Sequence, residues 1–104
     1  MEDVSDQGGR PWSVFSSHGL VLLYLASHPD HTLRAISDAL GFTERQIARL
    51  VKDLVASGMV QVSRRGRRHT YAIRPDTALR HPTVRHVTVG RLLAATRADG
   101  AGVR

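Results

Sequence analysis

The chain has 104 residues, enough for one domain with one modest hydrophobic core. Its formal charge of +6 favours a polyanionic partner such as nucleic acid. The absence of cysteine excludes disulfides, thiolate metal sites and a cysteine redox sensor.

The N-terminal residues 1–10 are acidic, contain glycine and lack the apolar core of a secretory signal, so we predict a disordered segment. The strongest apolar run, Leu20–Ala26, is far shorter than the roughly 20 residues that span a bilayer. We therefore expect a cytoplasmic protein without a membrane partner.

The first predicted helix begins after Ser16 or Ser17 and runs to about Ser27, before a His-Pro-Asp turn. Its residues are apolar nearly all round, which predicts a helix buried on several sides, in the core or at an interface. Trp12 and Phe15 precede it and are expected to dock on the core or on a partner chain.

A helix-turn-helix is predicted next, from Thr32–Leu40 and Thr43–Ser57. The first of these segments carries apolar residues at helical spacing, and Gly41 supplies the positive φ that commonly ends a helix. Thr43 and Gln46 form a T-x-x-Q capping box at the start of the second segment.

The second helix of this pair has two contrasting faces. Four apolar residues form its buried stripe, and three cations fall on the opposite side at 100° per residue. The stripe consists of Ile47, Leu50, Val51 and Leu54, and the cations are Arg45, Arg49 and Lys52. The pattern predicts a purely cationic outer face, which suits insertion into a DNA groove.

A β-hairpin is predicted after the helix pair. Met59–Ser63 and Thr70–Arg74 alternate apolar and polar residues, as half-buried strands do. The turn between them, residues 64–69, contains four arginines around Gly66. Clustered like charges repel one another in the free protein, so their natural partner is a polyanion, although a solvated loop is the simpler reading of any charge run.

A last helix is predicted over residues 83–97, with Pro82 at its N-terminal boundary and a frayed tail at 98–104. Its apolar stripe follows the hairpin, where a small domain has little core left to cover it. We therefore predict a homodimer through this stripe and the N-terminal aromatic residues, with folding back onto the same domain as the alternative. The predicted interface comprises Trp12, Phe15, Val84, Val87, Val89, Leu92, Leu93 and Thr96.

The segments TLRAISDALGFTERQIARLVKDLVASGMV and VSRRGRRHTYAI resemble winged-helix transcriptional regulators of the MarR and ArsR type, and the resemblance covers roughly residues 12–97. Leu79–Pro82 and Thr88–Leu93 resemble the LRHP…TVGxLL tail of a group of short bacterial members. The resemblance implies an α+β, mostly helical winged helix-turn-helix fold with three helices, a two-stranded wing and a C-terminal helix. The expected domain covers residues 11–97.

In such families the second helix of the pair enters the major groove, and the wing grips the flanking backbone or the minor groove. The expected role is therefore sequence-specific binding of double-stranded DNA by a transcriptional regulator that is not an enzyme. The residue pattern and the resemblance together predict DNA contacts by Thr32, Arg34, Thr43, Glu44, Arg45, Gln46, Arg49 and Lys52 on the helices. In the wing they predict contacts by Arg64, Arg65, Arg67, Arg68 and His69.

Other chemistries have little support in the sequence. His28 and His31 have H-x-x-H spacing, but the intervening proline suits a turn better than a metal site, and we expect no metal or cofactor. No nucleophile elbow, phosphate loop or paired-carboxylate pattern is present.

The competing function is a winged helix that docks an acidic protein partner, since one fold can serve both purposes. A docking face would expose aromatic or aliphatic anchors, whereas this helix exposes cations, which favours DNA. The chain is shorter than full-length MarR proteins and lacks the cysteine pair of many ArsR metal sensors. The sequence does not specify an effector, an operator or the direction of regulation.

Overall fold

The computed structural model describes residues 12–102, and the side chains of 97–102 lie outside that description. The elements follow in the order α1 (Ser17–Ser27), α2 (Leu33–Leu40), α3 (Glu44–Ala56), β1 (Val60–Arg65), β2 (Arg68–Ile73) and α4 (Val89–Gly102). This is the α+β winged-helix architecture expected from the sequence. The predicted disordered segment, residues 1–10, lies outside the described residues.

The first three helices begin at hydroxyl side chains, as their sequences predict. The side-chain oxygens of Ser16, Thr32 and Thr43 each accept a hydrogen bond from a backbone N–H in the first turn of their helix. Gly41 ends α2 with a φ of 78°, the left-handed conformation that glycine adopts without steric cost. These local signals fix the angle at which α3 leaves the turn.

The core lies where α1, α2, α3 and the hairpin meet. Val21, Leu25 and Ile36 are fully buried there, as is Ile47 from the apolar stripe of α3 predicted from the sequence. Burial of an aliphatic side chain of this size contributes about 1.5–3 kcal/mol. The apolar face of α3 is therefore held firmly, and its opposite face is left to solvent.

The hairpin differs from the predicted one in its extent. The two strands pair antiparallel from Val60 with Ile73 to Arg65 with Arg68, so that only Gly66 and Arg67 remain in the turn. Gly66 has a φ of 64°, as the first central residue of a tight hairpin turn requires. The basic segment predicted as a turn over 64–69 is therefore mostly paired strand.

The predicted start of the last helix at residue 83 is wrong. The backbone N–H of Val89 donates to the Thr77 carbonyl at 2.8 Å, and Ala78 forms an isolated antiparallel bridge with Thr88. Residues 83–86 form turns, in which the Val87 N–H donates to the Val84 carbonyl, and α4 begins at Val89. The helix then continues to Gly102, past the expected end at residue 97.

Gly90 lies in the first turn of α4, pressed against Pro75. A Cβ added at Gly90 would lie 2.9 Å from the Pro75 Cβ and 3.0 Å from its carbonyl oxygen. Glycine lowers helix propensity, but here it permits close contact between α4 and the end of the hairpin.

The predicted interface stripe on the last helix requires a correction, because two of its residues belong to the domain's own core. Val89 is fully buried and Leu93 is 6% exposed. The alternative in which the helix folds back is therefore the observed one for these two side chains. Leu92 remains half-buried, and Trp12 is 75% exposed rather than docked on the core of its own chain.

Within residues 12–102, no helix is both long and apolar enough to cross a membrane.

Candidate nucleic-acid interface

The exposed face of α3 carries the cations that the sequence placed there. Arg45, Arg49 and Lys52 are all exposed and lie in the first, second and third turns of the helix, while the apolar stripe on the opposite side is buried. Ala48 is exposed between Arg45 and Lys52 and is not among the contacts predicted from the sequence. An exposed alanine beside two cations is a candidate for contact with a thymine methyl group.

The polar residues at the start of α3 are engaged in its cap. The Thr43 hydroxyl oxygen accepts from the Gln46 N–H at 3.0 Å, and the Thr43 N–H donates to the Gln46 side-chain oxygen at 2.8 Å. Thr32 caps α2 in the same way, through the Ala35 N–H at 3.0 Å. The side chains of Thr43, Gln46 and Thr32 therefore serve as helix caps. Glu44 at the first position of α3 and Arg34 on α2 are exposed and have no cap role.

The outer face of α3 is not purely cationic, contrary to the prediction. Asp53 is exposed one turn after Arg49, and its Oδ2 lies 2.8 Å from Nε2 of His18 on α1. The two residues are 35 positions apart, so helix periodicity alone could not place them together.

The wing arginines divide between two faces, because side chains alternate along a strand. Arg64 pairs with His69 on the face that continues the core side of the hairpin, and its Nε donates to Nε2 of His69 at 3.2 Å. Arg65 pairs with Arg68 on the opposite face, and Arg67 occupies the turn. All five side chains are exposed.

The outer wing face also carries two exposed hydroxyl groups that the sequence analysis did not include. Ser63 pairs with Thr70 next to the Arg65–Arg68 pair on that face. Serine and threonine hydroxyls are common donors to DNA phosphates. The alternation of the two predicted strands contained this signal, but the predicted wing contacts were confined to the turn, residues 64–69.

The base of the wing is held by the loop between α1 and α2. The Tyr71 backbone N–H donates to the Pro29 carbonyl at 2.8 Å, and the Tyr71 ring is buried. Burial raises the pKa of the Tyr71 hydroxyl above its ordinary value of 10.0, because desolvation disfavours the phenolate.

The H-x-x-H pair forms part of an aromatic cluster in this loop. The His28 and His31 rings stack with centroids 4.5 Å apart, and Nδ1 of His31 lies 2.8 Å from the Tyr24 hydroxyl. Among the described residues, no group of three or more His, Asp or Glu side chains could hold a metal ion.

An apolar groove of about 1020 Å³ opens on the side of the domain formed by the start of α1, the end of α3 and the segment before α4. Phe15, Leu22, Leu54, Val84 and Leu92 are among its lining residues. Of these, Phe15 and Val84 are exposed, as are Trp12 and Val14, and Val14 also lines the groove. Three of the predicted interface residues, Phe15, Val84 and Leu92, therefore line this groove.

Comparison with known proteins gives one result. A family model described as MarR family matches residues 16–69, just over half of the 104 residues, from the cap of α1 to the second strand of the wing. Neither the curated proteins nor the solved structures contain a significant match.

Proposed function

Because this chain belongs to the MarR family, we propose that it is a transcriptional regulator that binds a specific double-stranded DNA sequence. Members of this family regulate transcription by binding DNA and are typically not enzymes. The single observation that carries the proposal is the exposed basic face of α3, formed by Arg45, Arg49 and Lys52 above a buried apolar stripe.

In this proposal α3 lies in the major groove. Arg45 is nearest the helix N-terminus, the part that penetrates deepest in this mode of docking. Arg45 and Arg49 contact bases. Arginine donates two hydrogen bonds to the O6 and N7 atoms of guanine, and one such contact contributes about 1–3 kcal/mol of discrimination. Lys52 contacts phosphate further along the helix.

The wing supplies affinity through the DNA backbone. Arg65, Arg67 and Arg68 extend from the tip of the hairpin and form no salt bridge with the acidic side chains of the described residues. Phosphates would neutralise their mutual repulsion. Arginine is suited to this role because its planar guanidinium bonds a phosphate through two N–H groups.

The exposed face of α3 argues against docking of a protein at the same site. Besides its charged and polar residues it presents only Ala48 and Ala56, and no aromatic or large aliphatic anchor. Such anchors dominate protein interfaces.

We further propose that the working form is a homodimer, as is usual in the family. The apolar groove, with Phe15, Val84 and Leu92, replaces the α4 stripe as the proposed contact surface, together with the exposed Trp12. A two-fold dimer would set two copies of α3 about 34 Å apart, the spacing of successive major grooves.

Selection of bound duplexes from a random pool tests the function. Enrichment of one sequence motif, repeated with two-fold symmetry, is the expected result. Recovery of unenriched sequences with the same affinity as the selected pool would contradict sequence-specific binding. A single half-site without symmetry would contradict the dimer and leave the recognition role in place.

A further inference from the structure

The contact between His18 and Asp53 joins the first turn of α1 to the recognition helix. The His18 Nε2 and Asp53 Oδ2 atoms lie 2.8 Å apart, and both side chains are about half exposed, at 44% and 51%. Neither residue belongs to the predicted DNA contacts, although both line the apolar groove proposed as the dimer contact.

Asp53 occupies an unfavourable position for an acidic residue. It lies in the last turn of α3, where the carbonyl ends of the helix dipole repel negative charge. It is also exposed beside the basic face, about 40° around the helix axis from Arg49, at the i,i+4 spacing that lets two side chains pair. An unrestrained Asp53 carboxylate could therefore bind the Arg49 guanidinium and repel DNA phosphates.

His18 is placed to prevent this pairing. It lies in the first turn of α1, where backbone N–H groups and the positive end of the helix dipole favour a nearby carboxylate. The hydrogen bond from His18 directs the Asp53 side chain toward α1.

We propose that His18 is a positioning residue that holds Asp53 away from Arg49 and so keeps the Arg49 guanidinium free for DNA. The proposal rests on the proposed function of α3. The observation that carries it is the 2.8 Å contact between His18 and an exposed acid one turn from a recognition arginine.

Four proteins test the proposal at fixed pH and salt: the parent, His18→Ala, Asp53→Asn and the double variant. His18→Ala is expected to weaken binding of the selected duplex roughly two- to fivefold, the effect of one exposed charge pair. In the double variant the loss is expected to disappear, because the freed carboxylate is no longer present. If His18 only stabilised the fold, Asp53→Asn would not restore DNA binding in the double variant.

Two matched controls separate this effect from general ones. His86→Ala removes an exposed histidine outside α1 and α3, and Asp38→Asn removes one negative charge from α2. His86→Ala is expected to bind like the parent, and Asp38→Asn is expected not to rescue His18→Ala. A double variant His18→Ala/Asp53→Asn that binds as weakly as His18→Ala alone would overturn the proposal.

A second readout needs no DNA. The side-chain Nε–H resonance of Arg49 in nuclear magnetic resonance spectra is expected to shift in His18→Ala and to return in the double variant. An Arg49 resonance that does not respond to His18→Ala would overturn the positioning role, even if the chain bound DNA. Failure of the parent protein to bind DNA would overturn the proposed function instead. The Arg49 spectrum would still decide whether His18 positions Asp53.

Discussion

The backbone N–H of Tyr71 donates a hydrogen bond of 2.8 Å to the carbonyl oxygen of Pro29, and this bond connects the second strand of the wing to the loop between α1 and α2. The Tyr71 ring is buried beneath the same junction, in contact with the core. The wing is therefore anchored at its base, and its arginine-rich tip extends from a fixed point next to α3.

Tyr71 gives the domain a pH dependence on the alkaline side. Its pKa is raised in the folded state by desolvation, so the folded chain holds the phenolic proton more tightly than the unfolded chain. Both states are protonated below the ordinary value of 10.0, and stability falls as the pH rises from there through the folded-state pKa. Urea unfolding from pH 8 to 11 measures this loss. Tyr71→Phe is expected to lose less unfolding free energy than the parent over this pH range. Equal losses in the two proteins would contradict the prediction.

Replacement of Arg65, Arg67 and Arg68 by alanine is expected to reduce the salt dependence of DNA binding. Each arginine that neutralises a phosphate contributes about 0.9 to the slope of log affinity against log salt, so the triple variant should lose about two to three units. Titration of the selected duplex at several salt concentrations gives the slope. A double replacement of the exposed Arg85 and Arg91 removes charge outside the wing and serves as the control. If the wing variant kept the salt slope of the parent, the wing would not contact the DNA backbone.

Gly90→Ala is expected to destabilise the domain, although alanine normally stabilises a helix by about 1 kcal/mol relative to glycine. The new Cβ would meet Pro75 at 2.9 Å, and overpacking of this kind costs about 1–3 kcal/mol. Chemical unfolding measures the change. Gly19→Ala, whose Cβ would lie 3.3 Å from Phe15, provides a milder comparison within α1. A more stable Gly90→Ala variant would show that α4 can move away from Pro75.

The proposed dimer predicts different behaviour for two glutamate substitutions. Val84→Glu places a charge at the exposed edge of the apolar groove and should dissociate the dimer with little loss of stability. Leu93→Glu places a charge in the hydrophobic core of the domain and should unfold it, because a buried unpaired charge costs several kcal/mol. Sedimentation equilibrium and thermal unfolding of both variants measure these outcomes. A parent that is monomeric at micromolar concentrations would rule out the dimer.

The sequence predicted the helix pair well because its signals are local. Thr43 with Gln46, and Gly41 at the end of α2, are separated by at most a few residues from the groups they bond. Periodicity placed the apolar stripe of α3 correctly because core burial follows the helix repeat.

The differences arise where distant residues decide the structure. The start of α4 depends on the hydrogen bond from the Val89 N–H to the Thr77 carbonyl, and the periodicity of the segment before α4 does not reveal it. The contact between His18 and Asp53 spans 35 positions, so the acid on α3 had no visible partner in the sequence. Burial of Leu93 likewise depends on how α4 returns to the core.

The most direct test of the central claim is the affinity of Arg45→Ala for the selected duplex, measured at fixed salt beside the parent and the exposed-arginine control Arg85→Ala. If Arg45 reads a guanine from the start of α3, its loss should cost about 1–3 kcal/mol and relax the base preference at one position of each half-site. Arg85→Ala should leave that preference unchanged. Equal affinity and equal base preference of Arg45→Ala and the parent would contradict recognition of DNA bases by this helix.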